Sequence, residues 1–260
     1  MKILKKVYVG LVFLFLYAPI LLLMLFSFNN SRSRGHWGGF TLKWYSELFH
    51  DSAIMNALLN TLLVALISAV VATIVGTVTA FGMYYMKKTP RAILSGISYL
   101  PVMNPDIVTG VSLMLLFLAC NIQRGFATLL IAHISFNIPY VILSVLPKFQ
   151  QMNEHLFEAA EDLGASAVYT FFRVILPEIM PGIISGFLLS ITLSIDDFVI
   201  SFFTRGAGVN TLSVHIYNMA KKGIDPSINA LSTIMFVVVM LLLLVINRRS
   251  DKEEVKNEEK

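Results

Sequence analysis

Six apolar runs, each long enough to cross a lipid bilayer as a helix, constrain this chain more than any other feature. They lie near Val7 to Phe28, Ala57 to Met86, Ile93 to Ala119, Phe126 to Leu146, Pro181 to Phe203 and Asn229 to Asn247. A hydrocarbon layer about 30 Å thick takes about 20 helical residues, and backbone groups inside it have no water to bond, so each run must satisfy itself as a helix. Of the 260 residues 56% are hydrophobic and 14% charged, which leaves no room for a separate soluble catalytic domain. The expected class is an all-α integral membrane protein with six transmembrane helices. Residues 1–56 would hold the first span and an external loop, and residues 57–247 a core with a cytoplasmic loop at 148–178. Residues 248–260 form a charged cytoplasmic tail.

Lys2, Lys5 and Lys6 precede the first run, Lys87, Lys88 and Arg91 join the second to the third, and Arg248, Arg249 and Lys252 follow the last. With an even number of spans these clusters share one side, so the excess of positive charge puts both termini and the 148–178 loop in the cytoplasm. Arg32, Arg34, Lys43, Arg124, Arg205, Lys221 and Lys222 then fall outside as a minority. The first run is spanning length and is followed by Ser27-Phe28-Asn29-Asn30, without a small-residue cleavage pattern, so it reads as a retained first helix. Pro101 and Pro105 interrupt the third run, either as a kink or as a break beside a pathway.

Several chemistries are missing from the pattern. No G-x-x-x-x-G-K-[ST] loop, nucleophile elbow or H-E-x-x-H pair occurs, so neither ATP binding nor hydrolysis has a recognisable motif. Cys120 is the only cysteine, and His36, His50, His133, His155 and His215 are scattered, a distribution expected of structural or surface roles rather than a metal site. The net charge of +4 is explained by the cytoplasmic anchors and carries no nucleic-acid footprint.

The loop from Lys148 to Glu178 has helical spacing of its own. Asn153 is placed to cap a helix with Glu154 in its first turn, and Leu156, Ala159, Ala160 and Leu163 share one face. Gly164 follows, where a left-handed residue would end the helix. Ser166 would cap a second short helix with Val168, Phe171, Phe172 and Ile175 on its apolar face. The small alanines offer a close-contact surface rimmed by Glu158, Glu161 and Asp162; packing on the protein's own cytoplasmic ends would produce the same stripes. Between Asn210 and Gly223, Leu212, Ile216 and Met219 lie at near-helical spacing, as in a helix that lies along the membrane surface or meets an external protein.

The motif E-A-A-x-x-x-G-x9-V-I-L-P, from Glu158 to Pro177, resembles the EAA loop of membrane subunits of ATP-binding-cassette importers, with Val174 in place of isoleucine. The resemblance implies the MetI-like fold of type I importers, and coupling helices in which Glu158, Ala159, Ala160 and Gly164 dock into a separate ATPase. Leu42-Lys43-Trp44-Tyr45 with Asn60-Thr61-Leu62 resembles the opening of that family's permease core. The stretches Leu193 to Ile200 and Gly223 to Thr233 are similar to the second permease of spermidine/putrescine importers. The implied partners are a second homologous permease, two copies of a cytoplasmic ATPase and an external polyamine-binding protein. No cofactor is implied, ATP being bound by the partner subunit.

Independently of that resemblance, the acids point to a cationic substrate. A carboxylate in a spanning helix costs a few kcal/mol unless paired or wet, and Asp106, Asp196 and Asp197 lie in apolar runs. Counting from the cytoplasmic starts of the third and fifth runs puts Asp106 and Asp196 at similar depth, about 20 Å in. Ser190, Ser194, Asp197 and Ser201 fall at i, i+4, i+7 and i+11, a polar stripe suited to an aqueous path, while Thr192 lies one turn before Asp196. Successive residues project about 100 degrees apart, so one of Asp196 and Asp197 is expected to face substrate and the other a neighbouring helix. Trp44, Tyr99 and Phe198 could supply aromatic faces for an alkylammonium chain, or mark membrane interfaces. The competing reading is an ion- or proton-coupled secondary transporter using the same acids, and a permease for another solute keeps the same architecture.

Overall fold

The computed structural model describes residues 2–31, 35–153, 155–222 and 226–241. Arg32, Arg34, Glu154, residues 223–225, the end of the sixth run with Arg248 and Arg249, and the charged tail with Lys252 lie outside the described residues. The chain divides into two compact units, residues 1–57 with 215–260, and residues 58–214.

The first unit begins with α1 (Lys2–Ser27), whose apolar side chains are exposed around the helix, as suits lipid or another apolar surface. A compact corner follows, organised by Asn29. Its Nδ2 donates to His36 O at 2.9 Å, and its Oδ1 accepts from the backbone N–H of Ser31 at 3.2 Å and of Gly38 at 2.8 Å. Its carbonyl accepts the indole N–H of Trp44 at 2.8 Å. Trp44 opens the short helix α2 (Lys43–His50) and is 2% exposed. Tyr45 beside it meets Ser27 Oγ at 2.7 Å, so the corner is fixed from both ends.

Asp51 then caps α3 (Ser52–Tyr85), its Oδ1 accepting from Ala53 N–H at 2.8 Å and Ile54 N–H at 3.3 Å. At 34 residues α3 is about 51 Å long and outruns the hydrocarbon layer. Arg91 closes its other end, donating from Nε to Met83 O at 2.8 Å, a cation on the negative end of the helix. The chain continues as α4 (Lys88–Met103), α5 (Asp106–Ala119) and α6 (Phe126–Gln151). The short α7 (Leu156–Asp162) follows. After it α8 (Ala167–Thr170), a π-helical turn (Phe171–Ile175) and α9 (Leu176–Asp196) run together as one 30-residue helix. The remaining helices are α10 (Val199–Thr204), α11 (Leu212–Lys222) and, in the first unit, α12 (Pro226–Leu241).

In the second unit α6 packs between α3 and α9. Ala72, Ala80 and Met83 of α3, Val141, Val145 and Phe149 of α6, and Ile175 and Ile179 beyond them form its core. Small residues let the helices approach: a Cβ on Gly182 would lie 2.8 Å from Ser144 O, and one on Gly76 2.7 Å from Val141 Cβ. Across the same contact Asn137 donates to Ser194 Oγ at 2.8 Å and Ser68 Oγ at 3.2 Å, tying three helices at one buried point. Asn60 and Thr61 hold the start of α11, Asn60 Nδ2 donating to Asn210 O at 3.1 Å and Thr61 Oγ1 accepting from Leu212 N–H at 2.8 Å.

Among the described residues four helices are long and apolar enough to span a membrane, and α4 with α5 makes a fifth crossing if the bent pair is one span. The sixth run appears as α12 up to Leu241. The third run departs most from a simple span, since α4 and α5 meet at 103°. Pro105 forces Asn104 into an extended conformation, with ψ 143°, and the helix restarts at Asp106. The fifth run also departs from expectation. Its helix begins at Ala167 rather than Pro181 and ends at Asp196, before the expected Phe203. Gly182→Ala should lower the thermal stability of the detergent-solubilised transporter, because overpacking of about 1–3 kcal/mol outweighs about 1 kcal/mol of helix propensity. Gly10→Ala, whose Cβ meets nothing within 4 Å, should not; equal melting of the two variants would contradict the close contact.

Candidate functional site

Both helix breaks deliver acids to one place. Asp106 is the first residue of α5, Asp196 the last of α9, and Asp197 lies in the gap before α10. All three line a cavity of about 280 Å³ together with Phe136, Thr192, Leu193, Phe198 and Val199. Asp106 and Asp196 are exposed. The depth count that placed them level does not apply, because it assumed straight helices starting at Ile93 and Pro181. The acids meet because two helices stop beside each other.

Asp197 differs from its neighbour. Its Oδ1 accepts from Ile200 N–H at 3.1 Å and its Oδ2 from Ser201 N–H at 2.7 Å, so the carboxylate caps the N-terminus of α10. His133 Nε2 stands 3.5 Å from Oδ2 and 3.0 Å from Ser201 Oγ, and the Asp197 side chain is 6% exposed. In this structure the serines of the expected polar stripe, Ser190, Ser194 and Ser201, are buried. Ser194 is buried in the contact with Asn137 and Ser68, Ser201 in the contact with His133, and α9 has already ended where Asp197 was to continue the face. Asp196, one residue earlier, is the acid turned outward.

Trp44 is placed in the Asn29 corner of the first unit with its indole N–H engaged, so its role in this conformation is to fix that corner. Tyr99 is exposed on α4, and Phe198 lines the acid cavity. His133 and Asn137 were missed as working residues. The available signal was their i, i+4 spacing inside an apolar run, which puts two polar groups on one buried face.

The loop after α6 forms a true elbow. Asn153 Oδ1 accepts from His155 N–H at 3.0 Å, leading into α7 two residues later than the cap expected from spacing. At the far end Gly164 has φ +83°, its N–H donates to Glu161 O at 2.8 Å, and Ala165 N–H reaches Ala160 O at 3.0 Å. These two bonds are the paired closure of a Schellman motif, which a Cβ at Gly164 would strain. Ser166 caps the next helix by accepting from Tyr169 N–H at 3.4 Å.

That next helix is not a separate short element. It passes through the π turn, where Leu176 N–H bonds Phe171 O five residues back, immediately before Pro177, which has no N–H to donate. The expected apolar faces divide on both sides of the Gly164 bend. Leu156, Phe157, Phe171 and Ile175 join the core, while Leu163, 89% exposed, stands outward with Val168, Tyr169 and Phe172. A cavity of about 590 Å³ opens there, lined by Ala160, Leu163, Gly164, Ala165, Ser166, Tyr169 and Val174. Ala159 is exposed beside it and His155 Nδ1 lies 3.3 Å from Glu158 Oε2. The inward side is held by aromatic contacts, with ring centroids 5.1 Å apart for Phe81 and Phe171 and 6.2 Å for Tyr85 and Phe157.

Residues 72–253 match the family of binding-protein-dependent transport system inner membrane components. The chain is 38% identical over 237 residues to the spermidine/putrescine transport system permease protein PotC of Escherichia coli K12, covering 91% of this chain and 90% of that one. PotC of Haemophilus influenzae is likewise 38% identical, over 90% of this chain and 91% of that one. The putrescine transport system permease protein PotI of Escherichia coli K12 is 36% identical over 86% and 82%. The fold is shared with a bacterial ABC transporter involved in the import of alginate, with TM-score 0.75, 15% identity and 95% of each chain covered. It is also shared with the MetNI methionine ABC transporter, with TM-score 0.57, 16% identity and 76% and 96% covered. The protein belongs to the family of binding-protein-dependent transport system inner membrane components and is a membrane subunit of the ABC importer type.

Proposed function

We propose that this chain is the permease subunit of an ATP-driven polyamine importer, forming half of a path for spermidine or putrescine with a second homologous permease. The observation that carries this reading is the pair of exposed carboxylates, Asp106 and Asp196, at one cavity. It occurs in a chain 38% identical to permeases named for those substrates. Asp196 ends α9, where the helix dipole is negative, so its charge is unfavourable unless a cation comes near. Phe136 and Phe198 at the same cavity give aromatic surface for the methylene chain and for cation–π contact. A carboxylate–ammonium contact at 4 Å is worth about 4 kcal/mol near a protein surface. Such a site holds a polyamine without trapping it, as passage requires.

The elbow supplies the coupling. Glu158, Ala159, Ala160 and Gly164 present the small-residue face that a cytoplasmic ATPase would seat on, and the outward apolar side chains beside it suit the same partner. Two ATPase copies, one per permease, and an external polyamine-binding protein complete the transporter. Both termini and the elbow lie in the cytoplasm, following the lysine and arginine clusters.

Uptake of labelled putrescine or spermidine into cells without other polyamine importers should disappear when the partner ATPase is deleted. Uptake that survives the deletion and collapses with a protonophore would establish a secondary transporter instead. Asp106→Asn and Asp196→Asn should each raise the KM for the polyamine about tenfold, the equivalent of about 1.4 kcal/mol, while leaving the assembled complex intact on size exclusion. An unchanged KM in both variants would remove the acids from the path. Leu163→Glu should weaken capture of the ATPase by more than about 1 kcal/mol, read by co-purification. Its side chain is exposed, so the melting temperature of the permease should not move.

A further inference from the structure

We propose that Asp197 is the pin of the break between α9 and α10, held in place by His133 and Ser201, and that it works as a positioning residue while its neighbour Asp196 meets the cation. The inference rests on the transport reading above and assigns work to three residues that it leaves out. A break inside a spanning segment frees backbone N–H groups that hydrocarbon cannot satisfy. Here the Ile200 and Ser201 N–H groups, at the start of α10, are taken by the two oxygens of the Asp197 carboxylate, one each. His133, buried on α6, bonds Ser201 Oγ through Nε2 at 3.0 Å and stands 3.5 Å from Asp197 Oδ2, so the capped start of α10 is tied to the neighbouring helix as well as to its own pin.

The consequence is directional. With Asp197 turned to the backbone, Asp196 at the end of α9 is left exposed at the cavity shared with Asp106. An Asp197 occupied with two N–H donors and facing an imidazole has little of its carboxylate to offer an ammonium group. The need at this position is for an acceptor oxygen, and caps made by Asn and Ser are about as good as those made by Asp. A cation ligand has the opposite requirement, since it needs the charge.

That difference gives the test, made with the complete transporter and labelled putrescine. Asp197→Asn and Asp197→Ser should keep KM within about twofold and maximal rate within about threefold of wild type, whereas Asp197→Ala should lower the maximal rate about tenfold at nearly unchanged KM. Replacing His133 with Leu should behave like Asp197→Ala, and His133→Gln, which keeps an N–H donor, should recover most of the rate. A KM for Asp197→Asn raised as far as that of Asp196→Asn would overturn the proposal, and so would a wild-type rate in Asp197→Ala. Amide hydrogen exchange at Ile200 and Ser201 in the purified complex reads the pin without any substrate. Protection in wild type and Asp197→Asn that is lost in Asp197→Ala supports it, and equal protection in all three refutes it. If the wild-type transporter does not take up putrescine, the polyamine reading fails, and the exchange measurement still decides the pin.

Discussion

In hydrocarbon an unpaired backbone N–H or C=O costs several kcal/mol, and this constraint governs where the chain is allowed to be anything other than a helix. Among the described residues two interruptions fall within apolar runs, at Asn104-Pro105 and at Asp197-Phe198, and each stands next to a carboxylate. At the second, the acid itself satisfies the freed N–H groups. At the first, Asp106 opens α5, where the positive end of the helix dipole favours its charge. Asp196 is at the wrong end of its helix for the same stabilisation. The three acids are thus unequal by position: two have their charge offset by a helix N-terminus, and the third stands at a helix C-terminus without that offset.

The breaks would be useless without a rigid frame to hold them together. Between α6 and α9 that frame is made by absent side chains: Gly182 and Gly186 let α9 approach Ser144 and Val141 of α6 to backbone distance. Lipid offers no hydrophobic drive for helices to associate, so close van der Waals packing and a few interhelical hydrogen bonds must do it. Asn137 of α6 adds hydrogen bonds to Ser194 of α9 and to Ser68 of α3. They fix the rotation of α9, and with it the direction in which Asp196 points.

The class, the apolar helices and the elbow were legible because each depends on local pattern. Apolar length marks spans, Gly164 is the residue that accepts φ +83°, and Pro105 cannot continue the helix before it. What was not legible depends on groups far apart in sequence. The reading of Ser194, Asp197 and Ser201 as one wet face assumed a helix unbroken through Asp197, and only the partners Asn137 and His133, more than fifty residues away, show that these side chains turn inward. Trp44 shows the same dependence: what holds its indole N–H in this structure is the backbone carbonyl of Asn29, fifteen residues away. The π turn is a departure that periodicity does not signal, and across it Phe171 and Ile175 lie in the core while Phe172 stands outward.

The elbow and the acid cavity sit toward opposite ends of a single helical run, from Ala167 to Asp196, about 45 Å long at 1.5 Å per residue. A helix packed along its length on α6 resists bending, so a push at one end is felt at the other as a shift or rotation of the whole rod. The π turn is the compliant point. It lies at the elbow end, before the close contact at Gly182, with Phe171 held against Phe81 of α3. In the proposed importer, motion delivered by a docked ATPase would enter through α7 and the π turn, be shared with α3 by the aromatic contacts, and reach the last residue of α9. Rotating that residue would move Asp196 relative to Asp106, the separation on which the proposed shared hold on one ammonium group depends. Drive and grip would then be two ends of the same helix, and binding need not be strong for a change in the rod's rotation to release the proposed cation.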